Sequence, residues 1–121
     1  MEIFLVEDSA PVRARLAEML AAIPGATVVG TAESAADAIR DILAKRPDVV
    51  VLDIHLAEGN GFDVLRGLRA AQFLPEIHVL TNYPLEGYRQ TAARLGARGF
   101  FDKSSEFDAL RAALAARKPA E

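Results

Sequence analysis

Residues 49–56 read VVVLDIHL, an apolar and β-branched run that ends on an acid, Asp53. A continuous apolar run of this length predicts a strand that is buried on both faces. Such strands are typical of parallel sheets, because helices cover both sides of them. Asp53 therefore lies where a buried strand gives way to a loop. Its carboxylate has three possible roles: a structural cap, a metal ligand together with His55, or a nucleophile.

Four other short apolar runs resemble this one, and segments with helical spacing alternate with them. The five predicted strands cover residues 2–6, 26–30, 48–53, 76–80 and 98–101. This alternation predicts an α/β protein in which five parallel strands form a single doubly wound sheet with helices on both faces, in the order (βα)5. In such sheets the functional site gathers at the carboxyl ends of the strands.

The helical segments carry apolar residues at three- and four-residue intervals, and their ends have local signals. The first stripe consists of Val12, Leu16, Met19, Leu20 and Ile23. Ser-x-x-Asp patterns at 34–37 and 105–108 predict capping boxes, and Pro47, Pro75 and Gly96 stand where helices should end. The segment 85–96 has the weakest apolar stripe, which predicts a loosely packed helix.

Composition limits the classes of protein that fit. The 121 residues are the length of one domain, 51% are hydrophobic, and 14 Lys and Arg stand against 17 Asp and Glu. We expect one domain over 1–121, with a short polar tail at 118–121 and no further domain after it. The acidic balance argues against direct nucleic-acid or membrane binding. Without cysteine, disulfides and thiolate catalysis are excluded and a cytoplasmic location is expected.

Chemically active residues follow four of the predicted strands. Glu7 and Asp8 follow the first, Asp53 the third, Thr81 the fourth and Lys103 the fifth. Three carboxylates at one edge repel each other and call for a cation, and oxygen ligands favour Mg²⁺. An acid beside Mg²⁺, a lysine and a hydroxyl suits phosphoryl transfer.

Each residue also has a plainer interpretation when it is taken alone. Asp8 with Ser9, ahead of Pro11, has the pattern of a helix cap. Glu7 alone would be a solvated surface acid. The combination at four strand ends favours the site.

At these residues the sequence resembles the receiver domain of two-component response regulators, which has a flavodoxin-like fold. The matching motifs are EDS at 7–9, LDIHLAEGNG at 52–61, LTN at 80–82 and GARGFFDKS at 96–104. The resemblance covers essentially the whole chain. It implies a phosphoacceptor that signals in a phosphorelay and is a switch, not an enzyme acting on external substrates.

The resemblance also implies roles for the residues at the strand ends. Asp53 would accept the phosphoryl group as an aspartyl phosphate, and Lys103 would contact that group. Asp8 and Asp53 would bind Mg²⁺ or Mn²⁺ directly, Glu7 would act mainly through water, and the backbone carbonyl of His55 would complete the protein ligands.

Further residues are expected to transmit the signal and to set its duration. Thr81 would move its hydroxyl toward the phosphate, and Phe100 would then change rotamer and act through packing, since it has no hydroxyl. His55 and Tyr83 would lie at the rim of the site and modulate the lifetime of the phosphate. Ala57 stands where the family usually has proline, so a less rigid loop is expected.

The expected partners are a sensor histidine kinase or phosphotransfer protein and a downstream protein target. A homodimer through the fourth helix, fifth strand and fifth helix is possible. That surface carries four arginines beside Tyr88, at 89, 94, 98 and 111, which form either a docking patch or a solvated face. Two other functions remain open: a receiver-like interaction module that takes no phosphate, and an Mg-dependent phosphohydrolase with an aspartate nucleophile.

Overall fold

The computed structural model describes residues 1–117, so the predicted tail at 118–121 lies outside the described residues. The strands are β1 (Glu2–Val6), β2 (Thr27–Ala32), β3 (Val49–Leu52), β4 (Glu76–Thr81) and β5 (Gly99–Asp102). The helices are α1 (Ala10–Ala21), α2 (Ala35–Lys45), α3 (Gly61–Ala70), α4 (Glu86–Arg94) and α5 (Phe107–Ala115). The elements alternate throughout, as the sequence predicts.

All five strands are parallel and lie in the order β2-β1-β3-β4-β5. The predicted doubly wound α/β fold is confirmed. The chain reverses its direction of winding beside β1 and β3, and this switch point is where such sheets form their sites. β2 lies at an outer edge, away from the centre of the sheet.

Two apolar layers hold the helices on the sheet. In β1, Ile3 and Leu5 face one layer and Phe4 and Val6 the other, as the period of two in a strand requires. One layer joins the sheet to α1 and α5 and the other joins it to α2, α3 and α4. All four residues of β3 are buried, which explains why its sequence is continuously apolar.

The helix starts match the sequence only in part. Ser34 caps α2, since its side chain accepts a hydrogen bond from the Asp37 N–H at 3.3 Å. The capping box predicted at 105–108 is wrong: Glu106 precedes α5 and makes no side-chain cap. Its carboxylate accepts from the Asp102 N–H at 2.9 Å instead, so it serves the turn after β5. A full capping box that the sequence analysis missed joins Asn60 and Asp63 at the start of α3.

Left-handed residues end several helices near the expected positions. Arg46, at φ 48°, follows α2 directly before Pro47, and Gly96, at φ 105°, stands after α4. The weak stripe of α4 corresponds to loose packing, because Ala92 is its one buried residue and Leu85 gives it no side-chain cap. Among residues 1–117, no helix combines the length and hydropathy needed to cross a bilayer.

Candidate functional site

The carboxyl ends of β1 and β3 bring three acids together. Val6 pairs with Leu52 in the sheet, so the residues that follow them, Glu7 and Asp53, leave the sheet side by side. Asp8 joins them, and one carboxylate oxygen from each of the three acids lies within 4.8 Å of the others. The expected acidic cluster therefore forms.

Lys103 reaches this cluster from the end of β5. Its Nζ donates to Asp53 Oδ2 at 2.6 Å and also to Glu7 Oε1. Its backbone N–H donates to the Thr81 carbonyl at 2.8 Å, so the end of β4 fixes where the lysine chain begins. The side chains of Lys103, Glu7 and Asp53 are each at most 9% exposed. The lysine therefore bridges two acids in a nearly dry environment.

Glu7 differs from the solvated acid that its sequence context suggests when it is taken alone. It is 1% exposed, and its Oε2 accepts the Ser9 N–H at 3.0 Å. Burial raises the pKa of Glu7, and the hydrogen bond and charge of Lys103 offset that rise only in part. The chain bends at Asp8, and Ser9 caps α1 directly after it. Glu7 is buried and Asp8 is exposed.

The charges of the cluster do not balance. Three carboxylates and one ammonium carry a formal charge of −2. Burial alone would lower the pKa of Lys103, but its hydrogen bonds to Asp53 and Glu7 outweigh burial and raise it. A divalent cation would bring the sum to zero, and carboxylate oxygens are ligands suited to Mg²⁺. The residues present therefore fit such an ion, with Asp8 on the open side.

Asp53 is held by its neighbours on both carboxylate oxygens. Oδ1 accepts the Ile54 N–H at 2.6 Å and the His55 N–H at 3.4 Å, while Oδ2 accepts from Lys103. These bonds and its 7% exposure fix the direction of the carboxylate. A fixed and charge-paired carboxylate can act as a nucleophile toward a group that enters from the Asp8 side.

Thr81 and Phe100 lie on adjacent strands below this edge. Thr81 is fully buried, and its hydroxyl accepts the Tyr83 N–H at 3.2 Å. Phe100 is 8% exposed and lies beneath Arg89, whose guanidinium carbon is 4.8 Å from the ring centroid. Arg89 Nη1 also donates to the Phe100 carbonyl at 3.2 Å. Arg89 is one of the surface arginines, and its guanidinium also covers the Phe100 ring.

An aromatic row flanks the site. The rings of His55 and Tyr83 have centroids 4.3 Å apart, and both residues are exposed, as the rim position predicts. Tyr88 extends the row, 6.0 Å from His55 and 5.5 Å from Phe62. The sequence analysis placed Tyr88 on the arginine surface only, because helical spacing does not show that α4 turns this ring toward the β3–α3 loop.

The loop after Asp53 is tied down despite the missing proline. The Ala57 N–H donates to the Glu33 carbonyl at 3.2 Å, and the Ala35 N–H donates to the Glu58 carbonyl at 2.9 Å. Proline has no N–H and could not make the first of these bonds. The expectation of a less rigid loop rested on residue type alone, and these bonds to the β2–α2 loop oppose it.

Arg13 is a residue of the site that the sequence analysis missed. Its Nη1 donates to the Glu7 backbone carbonyl at 2.9 Å and lies 3.6 Å from a Glu33 carboxylate oxygen. It therefore links the loop that carries Glu7 and Asp8 to the β2–α2 loop. Its place in the first turn of α1, six residues after Glu7, could have indicated this contact. The apolar stripe of the helix, which includes Val12 and Leu16, predicts only which face is buried.

Sequence comparisons agree with this geometry. A family model described as the response regulator receiver domain matches residues 3–115. A DNA-binding transcriptional activator of Mycobacterium tuberculosis, DevR/DosR, is 38% identical over 105 residues, which are 85% of this chain and 48% of that protein. A protein-glutamate methylesterase/protein-glutamine glutaminase of Symbiobacterium thermophilum is 37% identical over 87% of this chain and 29% of that protein. The chain thus spans about half or less of these relatives.

Solved structures share the fold. A two-component response regulator of the LuxR family from an Aurantimonas species superposes with a TM-score of 0.83 at 29% identity, covering 97% of this chain and 86% of that one. The response regulator domain of Thermotoga maritima CheB gives a TM-score of 0.82 at 26% identity, covering 94% and 90%.

Proposed function

Because this chain belongs to the response regulator receiver domain family, we propose that Asp53 is its phosphoacceptor and that phosphorylation switches an interaction surface. The observation that carries this proposal is the contact of Lys103 with both Asp53 and Glu7 beside the exposed Asp8. That arrangement provides a fixed nucleophile, a cation for phosphoryl oxygens and a place for a divalent ion. The chain is a receiver domain of two-component response regulators.

The reaction is a phosphoryl transfer from a phosphohistidine. An Asp53 oxygen attacks phosphorus in line, the new P–O bond forms as the P–N bond breaks, and the electron pair leaves on the imidazole nitrogen. Lys103 then faces the transferred oxygens, and its charge offsets theirs. Hydrolysis by water releases inorganic phosphate and restores the Asp53 carboxylate.

Mg²⁺ or Mn²⁺, when bound, supplies positive charge that offsets the phosphoryl oxygens. Asp8 and Asp53 would hold it directly, the backbone carbonyl of His55 would complete the protein ligands, and Glu7 would contribute through water. The burial of Glu7, in contrast to the exposed Asp8, is compatible with this indirect role.

The switch runs through Thr81 and Phe100. The Thr81 hydroxyl turns from the Tyr83 N–H toward the phosphoryl group, and the space that this opens lets Phe100 repack against β4 and α4. A ligand shifts such an equilibrium only through its different affinity for the two states. Because α4 is loosely packed, with a single buried residue, a rearrangement of this helix costs little free energy.

The proposed partners are a sensor histidine kinase or phosphotransfer protein, which supplies the phosphoryl group, and a downstream protein. We place these reactions in the cytoplasm. The chain has no cysteine and therefore no disulfide that would need an oxidising compartment. The face formed by α4, β5 and α5 is where we place a phosphorylation-dependent contact or homodimer.

The test is phosphorylation in vitro with acetyl phosphate and Mg²⁺. Intact-mass spectrometry of wild type should show one added phosphoryl group, and Asp53→Asn should show none. Asp48→Asn, an acid at the other end of β3, is the matched control and should react as wild type does. Beryllofluoride should slow amide exchange in α4 of wild type and of Asp48→Asn, but not of Asp53→Asn.

The same experiment separates the alternatives. A wild type that takes no phosphoryl group and binds no beryllofluoride would be an interaction module instead. Steady release of phosphate from an external phosphate ester, abolished by Asp53→Asn, would identify a phosphohydrolase.

A further inference from the structure

Arg89, an α4 residue, holds Phe100 at two points. Its guanidinium carbon lies 4.8 Å from the centroid of the Phe100 ring. Its Nη1 also donates a hydrogen bond to the Phe100 backbone carbonyl at 3.2 Å. One side chain therefore contacts both the ring and the backbone of the same residue, which is more specific than a position among surface arginines requires.

The two contacts respond differently when Phe100 changes rotamer. A rotation about χ1 moves the ring between staggered positions. The backbone carbonyl stays where it is, because the sheet pairs Phe100 with Val79 of β4. The hydrogen bond to the carbonyl thus keeps Arg89 in place, while the contact between the guanidinium and the ring is lost. A contact that exists in only one of two states stabilises that state.

The guanidinium of Arg89 has no strong competing partner in the described chain. Glu86 is the one carboxylate that pairs with it there, at 3.7 Å from Arg89 Nε, and both side chains are exposed. An exposed ion pair of this kind contributes little to stability, because water screens it. Phe100, in contrast, is buried. The contact with its ring is therefore the one that determines where the guanidinium lies.

The loose packing of α4 increases the importance of this contact. Ala92 is the one buried residue of the helix. Within residues 1–117, the bond from Arg89 to Phe100 is the one side-chain hydrogen bond between α4 and β5, since the others of this helix are internal or join it to α3. Arg89 is therefore the polar link between α4 and the strand that carries the switch residue.

We propose that Arg89 is a latch: it holds Phe100 in its unphosphorylated position and so sets how readily phosphorylation of Asp53 switches the molecule. This inference rests on the proposed function, in which Phe100 changes rotamer. Moving the ring costs the contact with the guanidinium, which for an exposed cation corresponds to roughly a two- to fivefold change in an equilibrium constant. Arg89 acts through Phe100 and is a positioning residue.

The test is the affinity for beryllofluoride in the presence of Mg²⁺, because this probe takes the place of the phosphoryl group on Asp53. Arg89→Gln should raise that affinity about two- to fivefold, since the unswitched state loses the cation on the ring. Arg89→Lys keeps a cation and should lie between the two. Arg94→Gln, an exposed arginine of the same helix, is the matched control and should bind as wild type does. Mg²⁺ alone should bind equally to all four proteins.

The Phe100 ring reports on the latch directly. In unbound Arg89→Gln, the ring resonances should be displaced from those of wild type toward the positions that beryllofluoride produces. Phe100→Leu removes the ring, so the addition of Arg89→Gln to this variant should not change the beryllofluoride affinity further. A purely structural role for Arg89 would lower the melting temperature and leave these readouts unchanged.

The possible failures of the latch and of the proposed function are distinguishable. A beryllofluoride affinity of Arg89→Gln that equals or falls below that of wild type overturns the latch, as does an equal effect of Arg89→Gln with and without the Phe100 ring. In both cases the proposed phosphorylation stands. A wild type that binds no beryllofluoride and takes no phosphoryl group from acetyl phosphate overturns the proposed function and the latch together.

Discussion

Lys103 makes the acidic cluster compatible with a folded protein. Glu7 and Asp53 are both buried, and two carboxylates this close could not remain ionised at low cost without a cation between them. The lysine supplies that cation but leaves Asp8 without an ion-pair partner in the described chain. The site thus carries excess negative charge, which the proposed divalent ion would offset.

Arg13 should act as a positioning residue for the metal-binding acids. Arg13→Ala removes the hydrogen bond to the Glu7 carbonyl and lets the loop that carries Asp8 relax. Because a hydrogen bond to a charged group contributes about 1.5–3 kcal/mol, we expect Mg²⁺ affinity to fall about tenfold. Isothermal titration with Mg²⁺ measures this directly.

Arg15→Ala, on the exposed side of the same helix, is the control and should bind Mg²⁺ as wild type does. An Arg13→Ala protein with unchanged Mg²⁺ affinity and only a lower melting temperature would show that the contact serves the fold alone.

His55 and Tyr83 should set the lifetime of the phosphate. Their ring centroids lie 4.3 Å apart, and we expect the pair to shield a phosphoryl group on Asp53 from water. Aromatic pairs contribute about 0.5–1.5 kcal/mol, so His55→Ala and Tyr83→Ala should each speed dephosphorylation roughly two- to tenfold. Phosphate release after removal of the donor gives the rate.

Leu74→Ala, an exposed apolar residue outside the site, should leave the dephosphorylation rate unchanged. Equal rates in all four proteins would make His55 and Tyr83 bystanders.

At the scale of elements, the β3–α3 loop depends on close backbone approach at Gly61. A Cβ there would lie 2.6 Å from the Asp53 carbonyl oxygen and 3.0 Å from Ile54 Cα. Both are backbone atoms, which can move away only if the chain is distorted. We expect Gly61→Ala to destabilise the protein by about 2 kcal/mol, as overpacking does, and to slow phosphorylation of Asp53. Urea unfolding and the acetyl phosphate reaction measure the two effects.

Gly87 in α4 provides the matched substitution. Nothing lies within 4 Å of a Cβ at this position, so Gly87→Ala should stabilise the protein by about 0.5–1 kcal/mol through helix propensity. Equal effects of the two substitutions would contradict the close approach at Gly61.

For the whole molecule, Glu76 joins the sheet to the end of α5 through Arg117 and to the start of β5 through Arg98. Its pKa is lowered below the ordinary value of 4.5. The stabilisation from its ionised form is therefore complete above pH 4.5 and is lost as the pH falls through the folded-state pKa. Glu76→Gln should cost about 1–3 kcal/mol at pH 7, and the difference from wild type should shrink below pH 4.5.

Urea unfolding at a series of pH values checks this expectation. Glu58→Gln removes an exposed acid and should show no such dependence. A difference between wild type and Glu76→Gln that stayed constant from pH 7 to pH 3 would assign the effect to packing rather than to charge.

The sequence by itself determined the fold and the members of the site. A strand buried on both faces must be apolar throughout, so VVVL at 49–52 identified a covered parallel sheet, and parallel strands bring their carboxyl ends to one edge. That rule gathered Glu7, Asp53 and Lys103 without knowledge of any contact.

Only the tertiary structure decided what these and other residues touch. Glu7 is buried and accepts hydrogen bonds from Lys103 and the Ser9 N–H, and Glu106 serves the turn after β5 instead of capping α5. Arg13 and Tyr88 reach neighbouring loops, and Glu76 meets arginines from distant segments. Hydrophobic periodicity reports which face of an element is buried. The direction of a long polar side chain depends on partners distant in sequence, which no local pattern records.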